Sequence, residues 1–202
     1  IENIAGDTTI ANTVAYCQAI ESLSGCNVSS RAETLRAIAL ELERLANHTG
    51  DLGALAQDIG YLPTSSYCGR LRGDFLNLTA LLCGSRFGRG FVCPGGVQYD
   101  LDSQRTDLFT KKFLATIKDV QNAVSLLWDT PSVLARFEGT GKVSLQTATE
   151  LGMVGMAARA CGISRDTRHD FPYGIYKKSQ LPVSACDTGD VFARANLRWM
   201  EI

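Results

Sequence analysis

Glu41, Arg44, His48, Asp51 and Asp58 fall in one stretch of helical periodicity. On a helix, residues three or four apart are neighbours, so Glu41 meets Arg44 and Arg44 meets His48. A carboxylate, a guanidinium and an imidazole so placed can hold and pass protons where they are buried, because buried charge persists only when it is paired or used. Facing water, the same residues form a solvated charged face whose ion pairs contribute little. A second cluster, Arg159, Arg165, Asp166, Arg168, His169 and Asp170, precedes Phe171-Pro172-Tyr173. Its plain alternative is a surface loop stitched by ion pairs.

Other chemistries have less support. Gly139-Thr140-Gly141-Lys142-Val143 contains a Gly-Lys pair, but a phosphate loop needs glycine where Arg136 stands and Ser or Thr in place of Val143. Neither a G-x-G-x-x-G fingerprint nor a G-x-S-x-G elbow occurs. The 7 cysteines form no C-x-x-C pair, and the 2 histidines lie far from any close cysteine pair in sequence. No metal ligands are therefore expected in this chain, and the cysteines read as reduced thiols of a cytoplasmic protein. A formal charge of -1 gives no electrostatic case for nucleic acid or an anionic membrane as partner. No apolar run approaches the ~20 residues that cross a bilayer, and no leader opens the chain. It begins at Ile1 rather than Met, and is read as a piece of a longer subunit.

The elements that must position these residues are mostly helices. Val14, Ala15, Ile20 and Leu23 predict a helix over about 12–22, closed by Gly25. Ser30 and Glu33 are spaced as a capping box, and Leu35, Ile38, Leu42, Leu45, Thr49, Leu52 and Ala56 recur at three and four to make one long helix. Gly60 and Pro63 stop it, and a further helix is expected from about Ser66 to Leu82. The stretch 84–101, rich in glycine, reads as an ordered loop with a short strand. Phe109, Phe113, Ile117, Val120, Val124 and Leu127 mark another long helix, and Thr130-Pro131 begins a short one through Phe137. A mixed C-terminal region ends in a helix from about Thr188. The expected fold is mainly α, a long-helix bundle with irregular loops and a few short strands, in a single domain over 1–202.

Glu41-Leu42-Glu43-Arg44-Leu45-Ala46-Asn47-His48, followed by Asp51-Leu52-Gly53 and Asp58-Ile59-Gly60, resembles a known family. That family comprises the large subunits of energy-converting nickel-iron hydrogenases and formate hydrogenlyase, and their relative, the quinone-site subunit of respiratory complex I. Pro94-Gly95-Gly96-Val97-Gln98-Tyr99-Asp100 is similar to the family's Gly-Gly loop. Further similar blocks are Arg159-Ala160-Cys161-Gly162-Ile163, Arg168-His169-Asp170-Phe171-Pro172-Tyr173 and Gly189-Asp190-Val191-Phe192-Ala193-Arg194. The resemblance implies a subunit of a membrane-associated, NADH:quinone oxidoreductase-like complex. It would bind no cofactor of its own, and electrons would arrive from an iron-sulfur cluster in a partner small subunit. Quinone would be the acceptor, and membrane-arm subunits would hold the chain at the inner face of the membrane. His48 and Asp58 match polar positions that link the family's cavity to the membrane arm, with Glu41 and Arg44 beside them. Gly95 and Gly96 match its cavity loop, the expected cofactor-binding position.

The start of the chain departs from the family. The hydrogenases carry Arg-Ile-Cys-Gly-x-Cys-x-x-x-His where this chain has Asn3-Ile4-Ala5-Gly6-Asp7-Thr8-Thr9-Ile10-Ala11-Asn12. Ala5 and Thr8 supply no thiolate, the ligand that soft metals require, so no nickel-iron centre is expected. The tyrosine of the complex I branch is not matched either, since Ala5, Gly6 and Asp7 occupy that stretch. Two readings follow: an electron-transfer subunit without nickel-iron, or a catalytically degenerate scaffold or assembly paralogue.

Overall fold

The structure, a computed structural model, describes residues 1–202. It is mainly α, as expected. The helices are α1 (Thr9–Ser24), α2 (Ser30–Asp58), α3 (Leu62–Cys83), α4 (Ser103–Trp128), α5 (Pro131–Phe137), α6 (Leu145–Glu150), α7 (Gly155–Arg159), α8 (Thr167–Asp170) and α9 (Val191–Glu201). The strands β1 (Val92–Cys93) and β2 (Gly96–Val97) form one antiparallel hairpin between α3 and α4. No helix is long and apolar enough to cross a membrane.

Several boundaries differ from the sequence expectation for local reasons. The cap of α2 is Ser29, whose hydroxyl accepts from the Ala32 amide at 3.3 Å and whose carbonyl accepts from Glu33. The helix therefore starts one residue before the Ser30 capping box would place it, and Glu33 sits too deep to serve as the reciprocal partner. Pro63 does not delay α3 to Ser66. It lies in the first turn, where an amide proton is not needed, and α3 starts at Leu62. Thr130 occupies the N-cap position of α5, but its hydroxyl donates to the Leu126 carbonyl at 2.7 Å instead of capping.

Two compact units can be described separately. The first comprises Ile1–Asn47 and Leu71–Lys118. Its core joins Ile10, Val14 and Cys17 of α1, Leu35, Ala39 and Leu42 of α2, Leu71, Phe75 and Leu82 of α3, and Phe91. Gly25 ends α1 in the left-handed conformation, and its amide donates to the Glu21 carbonyl. A buried ion pair fixes the hairpin. Arg36 holds Glu21 at 2.6 Å and donates to the carbonyls of Cys93 (2.8 Å) and Gly96 (2.9 Å), while the Gly95 amide donates to Glu21 at 2.8 Å. The Arg36 hydrogen bond keeps the Glu21 carboxyl below its ordinary range against the opposing push of burial. Gly95 follows Pro94 with φ +87°, a conformation that glycine adopts without strain.

The second unit comprises His48–Arg70 and Asp119–Ile202. Leu52 and Ala56 of α2, Cys68 of α3, Val120, Val124 and Leu127 of α4, Phe137 and Ala148 are buried there. Gly53 lets α2 and α3 approach, since a Cβ on it would lie 2.8 Å from that of Cys68. Gly189 is still more constrained, with φ +68° and a Cβ position that would overlap the Val143 carbonyl oxygen, so no side chain fits. Asp190 beside it caps α9 through the Ala193 amide (2.9 Å) and also accepts from the Gly139 amide (2.8 Å) and the Thr188 hydroxyl (2.8 Å). The Gly139–Lys142 turn is thus a structural tie to the start of α9. Ala160, Ala193 and Leu197 form a small buried cluster that seats α9.

Candidate functional site

In the second unit His48 is 6% exposed, and the period of α9 puts Glu201 within its reach. Ala193, Leu197 and Glu201 are spaced by four, so the carboxylate lies on the face that α9 buries. One Glu201 oxygen lies 2.8 Å from His48 Nε2, within hydrogen-bond distance, and the other pairs with the Arg159 guanidinium. Arg159, the last residue of α7, is also buried, and its second carboxylate is Asp166 at 3.6 Å. Asp166 caps α8, accepting from the Arg168 amide at 2.9 Å, and pairs with the Arg168 guanidinium at 2.8 Å. Arg168 in turn stands 3.9 Å from Glu201.

His48, Glu201, Arg159, Asp166 and Arg168 therefore form one connected buried cluster. Its two carboxylates and two guanidinium groups balance when His48 is neutral, and a proton on His48 leaves one net positive charge. Glu201, with Arg159 on one oxygen and His48 Nε2 on the other, joins the imidazole to the ion pairs. An imidazole fixed at a buried position beside paired charges is the kind of group through which a proton can be exchanged. Glu201 lies in the last turn of α9, where the helix field disfavours an anion, so the pairing with cations is needed to keep it there. Arg159 Nε and the Thr49 hydroxyl are buried without a protein partner.

The Asp166 carboxyl shows the strength of the pairing. Burial pushes it up, but the hydrogen bonds and charge of Arg168, with the charge of Arg159, bring it down from 3.8 to about 2. An acid whose carboxyl is lowered in the folded state adds stability that is complete above its unfolded value and is lost as pH falls through the folded one. Asp166 should thus contribute up to about 2 kcal/mol above pH ~4, lost by pH ~2. Urea unfolding at a series of acidic pH values checks this. In Asp166→Asn the slope of stability against pH over that window should flatten, and an unchanged slope would contradict the assignment.

The other residues singled out in the sequence lie elsewhere. Asp58, the last residue of α2, is exposed, and His48 pairs with Glu201 rather than with it. Ten residues of helix rise about 15 Å between the two. Glu41 and Arg44 belong to the first unit, where they pair with each other at 3.1 Å with 35% and 27% of their side chains exposed. Gly95 and Gly96 lend their backbone groups to Glu21 and Arg36. His169 is largely exposed and contacts Asp170. Glu201 is the residue that sequence reasoning missed, and its four-residue spacing from Leu197 and Ala193 was the available signal. Arg159 and Asp166, readable as a surface loop, are buried.

A family model described as the 49 Kd subunit of respiratory-chain NADH dehydrogenase matches residues 58–202. The chain is 32% identical over 189 residues to a carbon monoxide-induced hydrogenase of Rhodospirillum rubrum, covering 92% of this chain and 52% of that protein. It is 33% identical over 194 residues to NADH-quinone oxidoreductase subunit 4 of Thermus thermophilus, covering 96% and 47%. To an NADH-quinone oxidoreductase subunit of Campylobacter jejuni it is 34% identical over 194 residues, covering 95% and 47%. The chain thus spans about half the length of these curated relatives.

Proposed function

Since the chain belongs to the family of the respiratory-chain NADH dehydrogenase 49 Kd subunit, we propose that it serves in a complex I-type assembly as the subunit where electron transfer to quinone meets proton exchange. The observation that carries this reading is the buried, charge-balanced cluster at His48, which combines a titratable imidazole with two fixed ion pairs. Its Arg159, Asp166 and Glu201 lie within the matched stretch. In this reading Asp58 is the solvent end of α2 through which protons reach the membrane-arm partners, and Glu41 and Arg44 set the charge along the preceding turns. The chain holds no cluster of its own. An iron-sulfur small subunit delivers the electrons, and membrane-arm subunits keep the assembly at the inner face of the membrane.

A nickel-iron centre does not fit the start of this chain. Ala5 and Thr8 carry no thiol, and Asn12 is an amide in place of the hydrogenase imidazole. The same residues favour the second reading, a redox-silent scaffold that keeps the docking surfaces alone. Purification of the tagged full-length subunit from membranes, with metal analysis and a quinone-reduction assay, separates these readings. The expected result is co-purifying iron without nickel, together with quinone-dependent turnover. Iron without turnover would favour the scaffold, and stoichiometric nickel would overturn both.

A further inference from the structure

In the first unit the carboxyl of Glu43 accepts the amide protons of Ile10 (2.7 Å) and Ala11 (3.0 Å), in the first turn of α1. Thr8, at the N-cap position of α1, makes no side-chain cap, so Glu43 supplies it from another helix. A helix N-terminus favours a carboxylate. Burial opposes this and prevails, pushing the Glu43 carboxyl up to about 7 although both amides and the charge of Arg44 pull it down, with Asp7 adding to the upward push. A small cleft opens on Glu43, lined also by Asp7, Asn47, Arg72, Arg86 and Phe87. Asp7 pairs with Arg72 at 2.8 Å, and the Asn47 amide donates to the Asp7 carbonyl at 2.8 Å. The space suits a water and no organic ligand.

We propose that Glu43 is a proton-exchange site in its own right, loading and releasing its proton through the cleft it shares with Asp7, Arg72 and Arg86. On loading, an O–H bond of a hydronium ion in the cleft breaks as the carboxyl O–H bond forms; on release, the carboxyl O–H bond breaks as a cleft water accepts the proton. The charged groups that face Glu43 are Asp7 from the turn before α1, Arg72 from α3, Arg86 from the loop after α3, and Arg44, paired with Glu41, from its own helix. Protonation removes the anion from the start of α1, so the charge state of Glu43 sets how firmly Ile10 and Ala11 are held. None of this depends on the NADH-quinone reading, so either can fail alone.

Infrared difference spectra of the full-length subunit in its complex, taken between about pH 5 and about pH 9, test the proposal. Ordinary carboxyls are already ionised across this range. The expected result is a protonated-carboxyl band that titrates near neutrality and is missing in Glu43→Gln. Asp7→Asn, which removes the nearest negative charge and releases Arg72, should move the midpoint down by roughly half a pH unit. A spectrum unchanged in Glu43→Gln would overturn the proposal, as would an unmoved midpoint in Asp7→Asn should the first variant fail to assemble.

Discussion

Arg159→Met destabilises the full-length subunit by about 3–5 kcal/mol, the loss typical of removing one partner from a buried ion pair. Methionine approximates the length of the arginine stem and keeps its apolar contacts, so the effect isolates the guanidinium. Without it, Asp166 keeps the Arg168 guanidinium at 2.8 Å, whereas Glu201 keeps His48 at 2.8 Å and has the Arg168 guanidinium only at 3.9 Å. Glu201 must then remain as a buried anion at the unfavourable end of α9 or take up a proton. Asp166, relieved of the Arg159 charge, becomes harder to ionise, so the deficit should be smallest near pH ~2 and grow as pH rises. Arg159→Lys should recover only part of the loss, because a single ammonium cannot span two carboxylates as a planar fork does. Denaturant unfolding at acidic and neutral pH measures all three. A deficit under about 1 kcal/mol in Arg159→Met, close to what an exposed pair contributes, would show that the cluster is not held by these charges.

His48→Gln separates the proton-exchange role of His48 from its structural one. A glutamine amide can still donate to Glu201, which keeps that oxygen satisfied, but it cannot take up a proton. Stability should therefore change by about 1 kcal/mol or less. Turnover of the intact complex with quinone should fall about 100-fold, the low end of what a positioned acid-base group supplies. Electron delivery to a soluble acceptor that bypasses quinone should be unchanged. His48→Ala, which leaves both a cavity and an unpaired carboxylate oxygen, should lose activity and stability together.

The long helices were legible because their apolar spacing is regular and their ends carry glycine or proline. The stripe from Leu35 to Ala56 is buried along its length, with only Ile38 half-exposed. What the spacing could not reveal is that α2 is enclosed widely enough to bury Arg36 and His48 as well. A period identifies the core face, and the partners of a polar residue come from segments distant in sequence. His48 was therefore legible as a candidate, whereas Glu201, 153 positions away, was not. The glycine-rich motifs were visible as motifs, but their meaning lay in close approaches. Gly189 meets the Val143 carbonyl and Gly53 meets Cys68, whereas Gly95 and Gly96 present their backbone to Glu21 and Arg36. Arg159 and Asp166 fall in a stretch of short helices and loops without strong periodicity, so their burial could not be inferred from pattern alone.

The exchange of a proton at His48 as quinone is reduced is the step on which the proposed function depends. It is tested most directly by the pH profile of quinone-dependent turnover in the purified complex, wild type beside His48→Gln. The wild-type profile should contain an ionisation that is absent from the variant, with the variant lower throughout. Superimposable profiles at equal turnover would contradict the account and leave the cluster a purely structural one.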